Sequence, residues 1–563
     1  MILHPAYLLI LGALPLPWLK QPIRSAWMLL LPIVGMVGLW SIPDGHYALL
    51  TLYDVKMELL RVDALSRVFA SIFLVATMLA VIYALNLRES VQQVATLTYA
   101  GSAIGGVLAG DLLTLFVYWE MTGLTSVFLI WARRSERAYR AGMRYLAVQV
   151  LSGLLLLAGL IIHYRGTGSV SFNTLGLDAP GGWLILTAIG IKCAFPVLHS
   201  WLQDTYPEAT IVGTVVLSSF TTKLGIYALA RGYAGTEELI WIGAVMTCFP
   251  IFYAVIENDL RRVLAYSLIN QLGFMVVGIG IGTEMGVNGA VAHAVADILF
   301  KGLLFMSMGA VLLRTGTVNG SELGGLFKSM PQTATFCMVG AASISAFPLF
   351  SGFVTKSMIM TAVAEEHRTV IWLMLLFASA GVFHHAGIKI PFFAFFAHDR
   401  GYRVEEAPLN MRIAMGSAAA LCILIGCAPE LLYGLLPYPV EYVPYTTAHV
   451  INQTQLLLLS AMAFTVLMRT GIYPPELRSV NLDFDWFYRR LLPATAGTAT
   501  RIIDGARNGV LAPLQRGAAT ALRIAQTPLR AQGWLALPWT TSLMIAWTVL
   551  LLGALLLLAL LRA

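Results

Sequence analysis

A chain of 563 residues with 58% hydrophobic and only 12% charged side chains, at a mean hydropathy of +0.77, is no soluble globular protein, where roughly a quarter of residues are charged. Apolar runs of about 18 residues or more recur from end to end, each able to cross a hydrocarbon core of roughly 30 Å as a helix, so the expected class is an all-α polytopic membrane protein. The net charge of +7 is met by basic loops on one membrane face and calls for no nucleic acid, and the five cysteines lie in apolar segments without a CxxC pair, against an iron–sulfur, zinc or disulfide site.

The apolar runs begin near residues 6, 26, 63, 91, 111, 143, 183, 210, 238, 263, 288, 334, 370, 411, 451 and 541, about sixteen spans. The first, YLLILGALPLPWL, has no basic residue before it and no small-residue cleavage site after it, and reads as a retained span. Lys20 and Arg24 follow the first span, Arg88 the third, RRSERAYR the fifth, and Arg261 and Arg262 the ninth. The other loops, such as the one holding Asp44, Asp54, Glu58 and Asp63, are poorer in basic residues. The positive-inside rule therefore places the loops after odd-numbered spans in the cytoplasm and the N-terminus outside.

The seventh span holds CAFPVLHSW (193–201) and the twelfth SAFPLFSGF (345–353), so Ala-Phe-Pro recurs 152 residues and five spans later. A proline removes a backbone hydrogen bond and clashes with the preceding turn, so both spans are expected to break there. In lipid the freed carbonyls must be met by protein or water. An offset of five spans inverts the second copy, as in transporters built from inverted repeats with discontinuous helices. The expected plan is three N-terminal helices (1–90), an inverted repeat of helices 4 to 8 (91–235), a second of helices 9 to 13 (236–400), and helices 14 and 15 (401–470). An amphipathic cytoplasmic-surface segment of short, proline-interrupted helices (471–540) and a last span (541–563) complete it.

A charge at mid-membrane costs about 2.5 to 3.5 kcal/mol on insertion scales, so each one needs a reason. The interior charges are Glu120 in the fifth span, Lys192 in the seventh, Lys223 in the eighth, His293, Asp297 and Lys301 in the eleventh, and Lys356 in the twelfth. Positions 293, 297 and 301 fall one turn apart on one helix face. That stripe is either a proton path or Asp297 neutralising Lys301 for insertion, and both readings stand. Glu120 and Lys192 are open to a similar choice between a static pair and a mobile one. Four lysines face only two carboxylates, and this excess favours a relay, because a buried lysine without a counterion can hold or release a proton.

Other features are weaker. His384, His385 and Lys389 of FHHAGIKIPFF are expected near the cytoplasmic end, with Lys389 snorkelling to the interface or the three forming a branch of a water path. Adjacent histidines point to different helix faces, so no metal site is expected. GIGIG (278–282) ends a membrane helix and lacks the strand–turn–helix setting of a dinucleotide site, so no cofactor is expected.

Six motifs in order, WE in the fifth span, KCAFPVLHSWLQD, FTTKLGIYAL, DLRRVLAYSLINQLGF, ILFKGLLF and SGFVTK, resemble the antiporter-like subunit family. That family links Mrp-type Na⁺/H⁺ antiporters, respiratory complex I and membrane-bound hydrogenases, and within it the chain is most similar to the D subunit of the Mrp type. The resemblance runs from about the third through the thirteenth span. It implies a core of about 14 helices with two inverted five-helix repeats broken at helices 7 and 12. It further implies roles: Glu120 and Lys192 a charge pair whose separation changes the lysine's hold on its proton, Lys223 the connector, Lys301 the central lysine and Lys356 the terminal group. Asp297 stands where many relatives have histidine and is expected to pin Lys301 or change ion preference. The segment after 470 exceeds the core and resembles the lateral-helix extension of the largest such subunits.

The resemblance implies a proton-translocating subunit of a multisubunit Na⁺ (monovalent cation)/H⁺ antiporter in a bacterial inner membrane. Its expected partners are hydrophobic subunits of Mrp A, B, C, E, F and G type, protons, Na⁺ and the bilayer. It would belong to a secondary transporter and would not be an enzyme. The alternatives are a proton-pumping subunit of a redox-driven complex, hence part of an ion-translocating oxidoreductase, or the proton path of another assembly such as inorganic carbon uptake.

Overall fold

Asp63, Asp111, Ser135, Thr210, Asp259 and Thr283 each precede an apolar run, and in the computed structural model each accepts a hydrogen bond from a backbone N–H in the first turn of the helix that follows. The structure describes residues 4–52, 55–474, 476–477, 481, 483–529 and 540–561. The chain divides into two units, 1–481 and 482–563.

The first unit opens with α1 (Pro5–Ala13), α2 (Ile23–Ser41), an antiparallel hairpin of β1 (Gly45–Leu52) and β2 (Val55–Val62), and α3 (Ala64–Tyr83). The hairpin was not expected from a loop read only for its charges; Asp54 lies outside the described residues. There follow α4 (Ser90–Leu108), α5 (Leu112–Trp131), α6 (Glu136–Thr167), α7 (Gly182–Lys192), α8 (Ser200–Thr205), α9 (Ile211–Ser219) and α10 (Thr221–Gly232). Then come α11 (Glu237–Ile256), α12 (Leu260–Ile281), α13 (Glu284–Thr315), α14 (Pro331–Ile344), α15 (Ser351–Glu365), α16 (Thr369–Val382), α17 (Leu409–Cys427), α18 (Glu430–Tyr433) and α19 (Thr447–Thr470). Across both units, 12 described helices are long and apolar enough to cross a membrane. Together with the broken spans they make the chain an all-α polytopic membrane protein.

The repeat is visible in the backbone. In the first copy Asp111 bridges Ser171 and Leu112 N–H donates to Val170 O; in the second, Asp259 bridges Asn319 and Leu260 N–H donates to Val318 O. All four positions are offset by 148 residues. Between them run α6 and α13, both of 32 residues and both ending on a glycine in the left-handed region, Gly168 and Gly316.

The broken spans match at the sequence offset of 152. Ala194 and Val197 have φ of 58° and 74°, and Ala346 and Leu349 have 57° and 74°. Phe195 N–H donates to Gly190 O at 2.9 Å and Phe347 N–H to Ala342 O at 3.0 Å. Non-glycine residues at positive φ cost about 1–3 kcal/mol each, so the surrounding packing holds these breaks open, not the prolines alone. A break that no proline marks separates α9 from α10 at Phe220, where Tyr99 of α4 accepts the Thr221 N–H at 3.0 Å.

The second unit holds α20 (Leu492–Gln526) and α21 (Thr541–Leu560). Several short helices were expected here. Instead α20 is one helix of 35 residues that tolerates Pro513 in its interior and takes Pro493 in its first turn, where the missing N–H is no loss. The end of the expected surface segment, 530–539, lies outside the described residues. α21 is an uncharged apolar helix of 20 residues, the length of a membrane span.

Candidate functional site

The seven interior charges lie within the first unit, on helices 5, 7, 10, 13 and 15. Glu120 and Lys192 come from α5 and α7, which are tied through α6: Trp119 Nε1 donates to Ser152 Oγ at 2.9 Å, and Ser152 Oγ donates to Ala188 O at 2.7 Å. Lys192 is the last residue of α7, at the edge of the break, and is fully buried. Its Nζ donates to Trp119 O at 2.8 Å and Thr122 Oγ1 at 2.5 Å and lies 4.6 Å from the centre of the Trp119 ring. No ion pair joins it to Glu120, although the two charges are within electrostatic reach. Glu120 Oε1 is buried without a hydrogen-bond partner and packs over Gly153, where a Cβ would fall 1.3 Å from it. Acid and ammonium are neighbours without an ion pair between them.

Lys223 sits just after the break at Phe220, and its Nζ donates to Ser218 O at 3.0 Å, a carbonyl at the end of α9. The same ammonium lies 2.6 Å from Asp297 Oδ2, with both side chains fully buried. The approach is close in charge but not aligned as a hydrogen bond, and neither carboxylate oxygen of Asp297 has an aligned donor. This corrects the expectation that Asp297 pins Lys301. The short aspartate side chain meets the lysine of a facing helix, while Lys301, one turn along α13, has only Leu264 O at 3.5 Å.

His293, two turns before Lys301, is buried with Nδ1 3.0 Å from Thr355 Oγ1 on α15 and Nε2 3.0 Å from Gln271 Oε1 on α12. Lys356 Nζ donates to Ile344 O at 3.0 Å and lies 5.0 Å from the Phe274 ring centre. The two lysines that accompany the proline breaks are not equivalent. Lys192 ends the first half-helix of its span, and Lys356 lies in the second half-helix of its own. Ile344, whose carbonyl Lys356 caps, is the residue that matches Lys192 at the offset of 152. In the first copy the indole of Trp201 caps Ile191 O, at 2.8 Å.

These contacts help to explain how the lysines stay buried. Lys223 and Lys356 rest on carbonyls left free where a helix ends, which carry the negative end of the helix dipole. Gln149, Thr222, Ser267, Ser343 and Ser351 also present buried polar atoms with no hydrogen-bond partner in the protein. Among the described residues no group of His, Cys, Asp and Glu could hold a metal ion.

The end of the thirteenth span is not a plain α-helix: residues 383–389 and 392–396 form wider π turns. Lys389 does not snorkel. It is fully buried, with Nζ on Ala254 O, Val255 O and Glu257 O and 2.9 Å from Glu476 Oε1. Glu476, in the loop after α19, gave no signal in the sequence that it would pair with a residue so far upstream.

Residues 109–383, which contain every one of these seven charges, match the family described as NADH:quinone oxidoreductase/Mrp antiporter, TM. Over this stretch, just under half of its length, the chain is similar to antiporter-like membrane subunits. Among curated proteins, the chain is 30% identical over 423 residues to the A subunit of the Na(+)/H(+) antiporter of Alkalihalophilus pseudofirmus, covering 66% of this chain and 52% of the relative. It is 29% identical over 375 residues to hydrogenase-4 component B of Escherichia coli, covering 59% and 56%. The chain thus spans about half the length of these relatives. A solved structure, the Mrp complex from Dietzia sp. DQ12-45-1b, superposes on 99% of this chain and 63% of the matched chain, with a TM-score of 0.75 at 23% identity, a likeness of fold.

Proposed function

We propose that the chain is the proton-translocating subunit of a multisubunit monovalent-cation/H⁺ antiporter, similar to the D subunit of the Mrp type. The observation that carries this reading is the row of buried lysines. Among the described residues Lys192, Lys301 and Lys356 have no carboxylate in contact, and only Lys223 has one, Asp297. A buried amine held by carbonyls and hydroxyls has a proton it can give up without breaking an ion pair. Opening and closing of Glu120 against Lys192 would then change the affinity of the next amine for its proton, and so along the row to Lys356.

The units of work are the repeats 91–235 and 236–400. Residues 1–90 and 401–470 complete the bundle, and the surface segment 471–540 with the helix of 541–563 serves contact with neighbouring subunits. Those partners are small hydrophobic proteins of Mrp A, B, C, E, F and G type, with Na⁺ as the exchanged cation. The setting is a bacterial cytoplasmic membrane, with the basic loops inside and the N-terminus in the periplasm.

Na⁺-dependent proton flux in vesicles tests the reading: Glu120→Ala and Lys192→Ala each abolish it, and wild-type flux in both would overturn it. The similarity to hydrogenase-4 component B supports a second reading, a redox-driven pump that uses the same row. Copurified partners that carry flavin or iron–sulfur clusters would favour that reading over the antiporter.

A further inference from the structure

The relay leaves His384, His385 and Lys389 unused. They stand on the π-helical end of the thirteenth span, and π turns concentrate at functional positions. His385 is fully buried, and neither ring nitrogen makes an aligned hydrogen bond, with the Gly381 carbonyl one turn back offering the ring a backbone acceptor. A neutral imidazole always carries one N–H donor and one bare nitrogen, so this buried ring keeps an acceptor with no donor fixed to it. Lys301 of the relay and His384 are within its electrostatic reach, as is Lys389, four residues on.

Lys389 is enclosed by oxygens. Its Nζ donates to the Ala254, Val255 and Glu257 carbonyls at 3.2, 2.6 and 2.6 Å, at the C-terminal end of α11, and sits 2.9 Å from Glu476 Oε1. A second carboxylate, Glu257, is also within reach of it. The Glu257 oxygens accept the Asn258 and Asp259 N–H groups and the Asn481 side chain, and the charge of Arg262 faces them. Two carboxylates therefore share the one buried ammonium. Burial pushes the Glu476 carboxyl above its ordinary range, against the opposing pull of Lys389. Glu476 also lines a surface cavity of about 300 Å³ with Ser321, His398, Arg400 and Tyr473.

We infer that His385 and the Lys389–Glu476 pair form a second proton outlet, leading from Lys301 to the cavity behind the loop that follows α19. The inference rests on the relay reading proposed for the lysine row. The protons balance along it. Glu476 takes a proton from the Lys389 ammonium, leaving a neutral amine beside a neutral acid, and releases it to the cavity. The Lys389 amine then takes the N–H proton of His385, whose other nitrogen receives one from the Lys301 ammonium. The competing role for Lys389 is purely structural, capping α11 and holding down residue 476. Arginine separates the two roles: it keeps the charge and the donors but cannot release a proton.

The test is proton flux under an imposed membrane potential, followed by a pH-sensitive dye inside vesicles carrying the intact complex purified from its own membrane. His385→Gln and Lys389→Arg are each expected to lower flux more than twofold, the remainder leaving by way of Lys356, while the yield of assembled complex and its unfolding temperature match wild type. Flux within twofold of wild type in both would overturn the outlet. If Lys389→Arg fails to assemble, His385→Gln decides alone. Lys301→Ala keeps the two claims apart. Loss of flux there beside wild-type flux in the other two sinks the outlet only, and wild-type flux in Lys301→Ala sinks the relay itself.

Discussion

Asp297 on α13 lies 2.6 Å from Lys223 on α10, a helix away, and leaves Lys301 on its own helix without a carboxylate in contact. The choice of partner divides the row into one paired lysine and others that rest on carbonyls. It also makes Asp297 the one carboxylate in contact with any of the four lysines Lys192, Lys223, Lys301 and Lys356 among the described residues, so that its removal leaves the Lys223 charge without a counterion.

Asp297→Asn therefore lowers stability by about 3–5 kcal/mol, the cost of stranding one partner of a buried pair. Thermal or denaturant unfolding of the purified complex checks this. The double variant Asp297→Asn/Lys223→Met recovers more than half of the loss, because the stranded ammonium is gone. Proton flux is abolished in the double variant, since the connector has no exchangeable amine.

Gly153 is the floor under the Glu120 carboxylate, and a Cβ there would stand 1.3 Å from Oε1. Gly153→Ala must displace that carboxylate. The expected outcome is a loss of flux comparable to that of Glu120→Gln, with the complex still assembled, because the atoms that a single methyl meets are the far end of one flexible side chain. Vesicle flux beside a size-exclusion profile of each variant measures the two effects separately.

Asp63 supplies a pH prediction outside the membrane spans. Burial would raise its carboxyl, but the hydrogen bond and charge of Arg231, the Ser66 N–H and the charge of Arg61 together hold it down to about 2 against an ordinary 3.8. A lowered folded value means that the stabilisation is fully present above pH ~4 and is lost as the pH falls from about 4 through 2. Its size is on the order of 2 kcal/mol. Asp63→Asn keeps a capping oxygen for α3 and flattens that acid limb in an unfolding-versus-pH series.

Much of this layout was legible in the sequence, and the residues explain which part. Pro196 and Pro348 mark their breaks because a missing N–H can be read directly, and apolar runs reveal helices by length alone. The break at Phe220 was not legible, because Tyr99 of a distant helix completes the start of α10 there. The same limit applies to charges. Spacing placed Asp297 and Lys301 on one face, but a short carboxylate takes whichever ammonium reaches it, and Lys223 arrives from another helix. Lys389 near a span end read as a snorkelling side chain until the loop carrying Glu476 folded over it. Helix existence is local information, whereas the pairing of buried charges is tertiary.

The central claim is that the buried lysines exchange protons and do not merely fix packing. Lys192→Arg tests it most directly, because arginine preserves the positive charge beside Glu120 and the contacts to Trp119 O and Thr122 but does not deprotonate. Cation-dependent proton flux in vesicles carrying the assembled complex is predicted to fall to background while assembly persists. An assembled Lys192→Arg complex that moves protons at the wild-type rate would contradict the account.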